Sequence, residues 1–123
     1  MNLQKTIKES IDFKGVGLHN GTEVNICLKP SAPNTGIIFK RVDIDSDKNI
    51  IEAKYSNVHA PILCTKIKNS HGTSVSTIEH LMAAFYLEGV DNVLVEINAP
   101  EVPILDGSAF DFVEAIRTYG TEE

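Results

Sequence analysis

The chain has 123 residues, of which 42% are hydrophobic and 23% charged, and a formal net charge of −6. This length and balance are typical of one globular domain with a core of its own. The acidic charge argues against a nucleic-acid-binding protein, because phosphate contacts need clustered Lys and Arg. We expect a cytoplasmic protein that is not transmembrane, since no apolar run approaches the roughly 20 residues of a membrane span and the first residues lack a secretory signal. The two cysteines are too few for a disulfide framework.

The first half of the chain is predicted to form short strands. Apolar residues alternate with polar ones in two stretches. The first contains Ile7, Ile11 and Phe13, and the second contains Val24, Ile26 and Leu28. The turn-rich segment 15–21 between them predicts an antiparallel hairpin with a glycine-rich connection. Its glycines lack the G-x-G-x-x-G fingerprint, and no helix follows, which argues against a nucleotide loop. His19 lies in this connection and is either an ordinary turn residue or a group that lines a site.

Further strands are predicted at residues 37–42, 50–53 and 63–68. The polar turn 43–49 carries three aspartates but lacks the glycine and the distal glutamate of a calcium loop. Cys64 by itself is interpreted as a small buried hydrophobe rather than as a reactive thiol. Residues 69–72 predict a tight turn before Val75 leads into a helix.

This first helix is predicted to begin at Ser76, which fits a capping box with Glu79 three residues later. Its apolar stripe consists of Ile78, Leu81, Met82 and Phe85. Gly89 is the expected stop. His80 lies off the stripe, where it could hold a metal ion or be an ordinary surface or packed histidine. The zinc-helix signature with histidines at i and i+4 is absent, because Ala84 occupies the second position.

The last third of the chain predicts a strand at 93–97 and a second helix at 108–119 that ends before Gly120. Ser108 and Asp111 are expected to share the capping of this helix. Its buried stripe is predicted to consist of Phe112, Val113, Ile116 and Tyr119. Together these elements predict an α+β fold, a mainly antiparallel sheet with two helices packed on one face.

Four stretches of the sequence carry a resemblance to one family. They are GVGLHNG at 15–21, LCT at 63–65, STIEHLMAA at 76–84 and NAPEVPILDGSA at 98–109. In this order and spacing the chain resembles the N-terminal half of UDP-3-O-acyl-N-acetylglucosamine deacetylase. The resemblance implies a zinc-dependent hydrolase that releases acetate from a UDP-linked acylated N-acetylglucosamine. This reaction is the committed step of lipid A, and hence lipopolysaccharide, biosynthesis in bacteria.

The resemblance also implies roles for individual residues. Glu79 matches the general base of the family, and His80 matches a ligand of Zn²⁺. The positions that line the family's substrate site are matched by His19, Leu63, Cys64 and Thr65. The other two zinc ligands, a histidine and an aspartate, belong to a second domain of the family.

A domain organisation follows from the same resemblance. Residues 1–123 would form one half of a two-domain β-α-α-β sandwich, ribosomal protein S5 domain 2-like, and the C-terminal catalytic domain is absent from this chain. We expect the isolated chain to be inactive and to self-associate through an exposed apolar helical face around Ala83, Ala84 and Leu87. The alternative is a non-catalytic binding or interaction domain that keeps the fold but lacks the catalytic second half.

Overall fold

The computed structural model describes residues 4–17, 21, 23–45, 47–53, 58–59, 66–104 and 110–123. These residues form three sheets and two helices. In chain order the elements are β1 (Thr6–Ile7), β2 (Ile11–Gly17), β3 (Glu23–Pro30), β4 (Ile37–Arg41), β5 (Ile50–Glu52), β6 (Val58–His59), β7 (Lys66–Lys68), β8 (Ser74–Ser76), α1 (Glu79–Glu88), β9 (Val93–Ile97), β10 (Pro103–Ile104), α2 (Phe110–Tyr119) and β11 (Thr121–Glu122).

The main sheet has six strands in the order β10-β2-β3-β9-β4-β5. Its neighbours pair antiparallel except β4 and β9, which run parallel with Ile38 opposite Leu94. The predicted α+β class is confirmed, and the sheet is mixed. A parallel pair needs a long crossover connection, and here that connection contains β5 to β8 and α1.

Apolar residues on one face of the main sheet share a core with both helices. The alternation in β3 and β9 places Ile26 opposite Ile97 and Leu28 opposite Val95, and all four are buried. They share one core with apolar residues of the helices, namely Leu81, Ala84 and Phe85 of α1 and Phe112 and Ile116 of α2. The rings of Phe13 and Phe112 meet edge to face, with centroids 4.9 Å apart, so α2 lies directly against β2.

Both helices end as the sequence predicts. Gly89 and Gly120 adopt φ values of 71° and 90°, a left-handed conformation that glycine enters without a steric penalty. The N–H of Val90 then bonds the carbonyl of Phe85, at 2.9 Å. No helix in the described residues has the length and apolar character needed to cross a membrane.

Several local predictions were wrong or incomplete. Gly15 and Gly17 lie within β2 rather than in the hairpin connection. Tyr119 is 45% exposed rather than buried. β1 and β11 pair with Ile7 opposite Thr121, a contact between the two ends of the sequence that no local pattern indicates. Of the predicted strand 63–68, β7 covers the last three residues, and the predicted cap Ser108 lies outside the described residues.

A small sheet of β6, β7 and β8 is joined to the main sheet by the segment that follows β9. The carbonyl of Pro100 accepts a hydrogen bond from the N–H of Ser76 at 2.8 Å, and the N–H of Val102 donates to the carbonyl of Ser76 at 3.0 Å. Immediately afterwards β10 pairs with the end of β2, with Pro103 opposite Gly17. Segment 100–104 therefore connects the end of β8 to the end of β2.

Candidate active site

The turn from β8 into α1 positions both residues that the sequence predicts to carry the chemistry. β8 ends at Ser76, Thr77 adopts φ +61°, and Ile78 occupies the N-cap position. The N–H of Met82 closes the first helical turn onto the carbonyl of Ile78 at 2.9 Å. Glu79 is therefore the first residue of α1, and the strand changes into a helix within two residues.

The predicted capping box is wrong. Ser76 belongs to β8, and its hydroxyl donates to the carbonyl of Pro100 at 3.2 Å. The N-cap Ile78 makes no side-chain capping bond. The pairing of β8 with segment 100–102 occupies Ser76 and overrides the local capping pattern. Capping therefore does not explain the glutamate at position 79.

Glu79 is half-buried at the start of α1. Oε1 is buried and has no hydrogen-bond partner within the described part of the chain. A buried acceptor without a partner costs about 1–3 kcal/mol of stability. Such a group needs an explanation other than folding, and a catalytic role is one.

His80 follows Glu79 on the first turn of α1 and is also half-buried. Neighbouring residues of a helix point about 100° apart, so these two side chains leave the helix in adjacent directions. A carboxylate and an imidazole in this relation can serve one reacting group from two sides. The predicted base and the predicted metal ligand are therefore neighbours on the first turn of α1.

The other predicted site residues, His19, Leu63, Cys64 and Thr65, lie outside the described residues. Among the described residues, no cluster of three or more His, Cys, Asp or Glu side chains could hold a metal ion. A catalytic zinc ion needs three protein ligands and an open position. The described residues therefore do not form such a set of ligands by themselves.

A buried carboxylate beside this turn was not recognised from the sequence. Glu101 is 1% exposed, and its Oε2 accepts a hydrogen bond of 3.3 Å from the hydroxyl of Thr77, which is 8% exposed. Thr77 is β-branched, and a positive φ at such a residue is strained by about 1–3 kcal/mol. Residues 77 and 101 are far apart in sequence, so spacing could not pair them. The available signal was that Glu101 lies in the family-like stretch 98–109.

The described cysteine, Cys27, lies on the opposite face of the sheet, away from α1. Partial burial, followed by a hydrogen bond with Asp12, raises the pKa of its thiol to about 11. A thiol with a raised pKa is a poor nucleophile at neutral pH. Cys27 is therefore not a catalytic candidate.

Comparison with known proteins identifies the family. The family model described as UDP-3-O-acyl N-acetylglycosamine deacetylase matches residues 4–123. The chain belongs to this family. A deacetylase of Geotalea uraniireducens is 48% identical over 122 residues, or 99% of the chain. The corresponding enzymes of Pseudoalteromonas atlantica and Aliivibrio fischeri are 44% and 43% identical, each over 98% of the chain. All three relatives carry the name UDP-3-O-acyl-N-acetylglucosamine deacetylase.

The match covers only part of these relatives. The chain spans 39% of the length of each, and it corresponds to their N-terminal part. The family resemblance seen in the sequence is therefore confirmed for this portion of the enzyme.

The outer surface of α1 is apolar. Tyr86 is 86% exposed and Leu87 is 63% exposed, and Ala83 is exposed beside them. Ala84, which was predicted to share this surface, is instead buried in the core. The helix is thus apolar on its outer side as well as on its inner side, a composition typical of helices covered on both sides.

Proposed function

We propose that this chain is the N-terminal part of a zinc-dependent deacetylase. It would hydrolyse the N-acetyl group of UDP-3-O-acyl-N-acetylglucosamine and release acetate, in lipid A biosynthesis. Membership of the deacetylase family and the names of the relatives support the proposal. The observation that carries it is the buried Oε1 of Glu79, which has no partner in the described part of the chain and stands beside His80.

In this proposal Glu79 and His80 have separate roles. Glu79 is the general base, and its carboxylate takes a proton from the water that attacks the acetyl carbonyl. The protonated Glu79 can then give that proton to the departing amine. His80 holds the zinc ion through one ring nitrogen. When bound, the ion polarises the carbonyl group and lowers the pKa of the attacking water.

We further propose that a second domain of the same protein completes the site. The described residues offer His80 as one ligand, and the remaining histidine and aspartate would come from the part of the enzyme beyond this chain. The same domain would cover the apolar outer side of α1 at Ala83, Tyr86 and Leu87. Both features are consistent with a two-domain sandwich whose active site lies between the halves.

The separate roles of Glu79 and His80 are tested by substitutions in the full-length protein. Glu79→Ala and Glu79→Gln should retain zinc and lose roughly 10²–10⁴-fold in acetate release, the range of general-base catalysis. His80→Ala should weaken zinc binding itself. Glu88→Gln is a matched control, because Glu88 lies on the same helix and pairs with Arg117 at 2.9 Å, away from the first turn.

Metal analysis and acetate release are measured on all four variants. Glu88→Gln should change neither quantity. The assignment is reversed if the Glu79 variants lose zinc while His80→Ala retains it.

A non-catalytic binding domain is the second candidate, favoured by the lack, among the described residues, of a cluster of three or more side chains that could hold a metal ion. The isolated 123-residue chain should release no acetate under either hypothesis. Fusion of this chain to the remaining portion of the Geotalea uraniireducens deacetylase distinguishes the two hypotheses. A folded chimera that binds zinc and loses its activity on Glu79→Ala supports the enzyme. A folded chimera that neither binds zinc nor releases acetate supports the binding domain.

A further inference from the structure

We propose that Glu101 is a positioning residue: its buried carboxylate holds Thr77 in the left-handed conformation and thereby sets the direction in which α1 presents Glu79 and His80. The effect on turnover rests on the proposed function. The effect on the backbone turn does not depend on it.

The first argument is the burial of the carboxylate. Glu101 is 1% exposed, and a buried carboxylate is strongly unfavourable unless other groups bond to it. One of its bonds goes to the hydroxyl of Thr77, at 3.3 Å from Oε2. In this proposal the bond restrains the Thr77 side chain and, because allowed rotamers depend on φ and ψ, also the backbone.

The second argument is the conformation that this bond supports. Thr77 has φ +61°, a region that β-branched residues avoid, so it persists only where its surroundings impose it. The preceding residue, Ser76, is held by two backbone hydrogen bonds, one donated to Pro100 and one accepted from Val102. The hydroxyl bond to Glu101 holds Thr77 itself.

The third argument is that the carboxylate cannot easily move away. A side chain at Gly17 would collide with Oε1 of Glu101, so the end of β2 lies directly against the carboxylate. Gly17 is fixed in turn by pairing with Pro103 in β10. Glu101 is therefore held between the end of β2 on one side and Thr77 on the other.

The consequence for the site follows from the short distance along the chain. Glu79 is two residues beyond Thr77, so rotation of the Thr77 backbone would swing the whole first turn of α1. A displacement of about 1 Å at a reacting group can cost on the order of 100-fold in rate. Glu101 would then influence turnover without touching substrate.

Kinetic measurements use the full-length, zinc-loaded protein with two pairs of variants. Glu101→Ala and Thr77→Val remove one partner of the bond and should lower kcat about 10- to 100-fold, with a smaller change in KM and weaker zinc binding. Glu101→Gln and Thr77→Ser retain an acceptor and a hydroxyl and should keep kcat within about 3-fold of the parent. Ile51→Val is the stability control, because Ile51 is fully buried in β5 at the far edge of the sheet.

The control distinguishes positioning from mere stabilisation. Ile51→Val should lower the melting temperature and leave kcat, KM and zinc affinity unchanged. If Glu101→Ala and Thr77→Val behave in the same way, with lower melting temperatures only, the proposal is overturned. Equal losses of kcat in the conservative and non-conservative variants would also overturn it.

A spectroscopic measurement on the 123-residue chain tests the turn without any activity. The intraresidue HN–Hα cross-peak of Thr77 is strong when φ is positive, and it should weaken in Glu101→Ala but not in Glu101→Gln. An unchanged cross-peak in Glu101→Ala would refute the positioning role. A weakened cross-peak together with no deacetylase activity in any full-length variant would reject the deacetylase assignment and leave control of the turn by Glu101 standing.

Discussion

Substitution of Gly17 by alanine is expected to destabilise the chain through a single contact. The added methyl group would overlap Oε1 of Glu101, and Thr77 binds the other oxygen of the same carboxylate. Overpacking of a tight site costs about 1–3 kcal/mol, and loss of the hydrogen bond from Thr77 costs about 1 kcal/mol more. We expect a total loss of about 2–4 kcal/mol in the free energy of unfolding.

At this chain length each kcal/mol lowers the melting temperature by about 3–5 °C. Gly17→Ala should therefore melt about 6–20 °C below the parent chain. Thermal and urea unfolding, followed by circular dichroism, measure the loss directly. The decisive comparison is the same substitution in a Glu101→Ala background, where the colliding carboxylate is gone. There the added methyl group should change stability by no more than about 0.5 kcal/mol, or improve it slightly, because alanine restricts the unfolded chain.

A second glycine provides the control for backbone effects. Gly36 has φ +71°, and no atom of the described residues lies within 4 Å of the position that an alanine methyl group would take there. Gly36→Ala should cost about 1–2 kcal/mol from its left-handed backbone alone, equally with and without Glu101. If Gly17→Ala is also equally harmful in both backgrounds, the carboxylate is not the cause and the reasoning fails.

Three further outcomes are expected. Phe85→Ala empties a fully buried position and should cost about 3–5 kcal/mol in urea unfolding; a loss below about 1 kcal/mol would contradict the core assignment. Because the pKa of Cys27 is raised from 9.0 to about 11, its alkylation by iodoacetamide at pH 8 should be roughly 100-fold slower than that of an unperturbed thiol. The rate should rise with pH up to that pKa and should be faster in Asp12→Asn; peptide mapping that shows ordinary reactivity would disprove the shift. Tyr86→Glu combined with Leu87→Glu should reduce self-association of the isolated chain in sedimentation, whereas a parent chain that stays monomeric at millimolar concentration would count against an apolar docking surface on α1.

The sequence predicts those elements whose pattern is local. The stripe of α1, its glycine stop and the strand β9 follow from periodicity and composition, and the structure confirms them. The start of α1 was misplaced because Ser76 resembles a cap but pairs with segment 100–102. The parallel pairing of β4 with β9 is likewise a long-range contact that no local pattern encodes.

In the candidate site too, the sequence predicts a pair of neighbouring residues but not a long-range contact. Glu79 and His80 are adjacent in sequence, so a motif suffices to pair them. The bond between Thr77 and Glu101 joins residues 24 positions apart, and it depends on how two sheets are connected. Family resemblance marked both stretches but could not indicate that they are hydrogen-bonded to each other. The roles assigned to Glu79 and His80 stay predictions. So do those of His19, Leu63, Cys64 and Thr65, which lie outside the described residues.

The position of β9 has a consequence for synthesis of the chain on the ribosome. β9 lies between β3 and β4 and pairs with both. Until residues 93–97 have left the ribosome, β2 and β3 can form their hairpin, but the inner edges of β3 and β4 have no strand to pair with. Unpaired edges that flank an apolar face readily join other chains. The nascent chain is therefore most vulnerable to aggregation, and most in need of a chaperone, during the interval between emergence of β4 and emergence of β9.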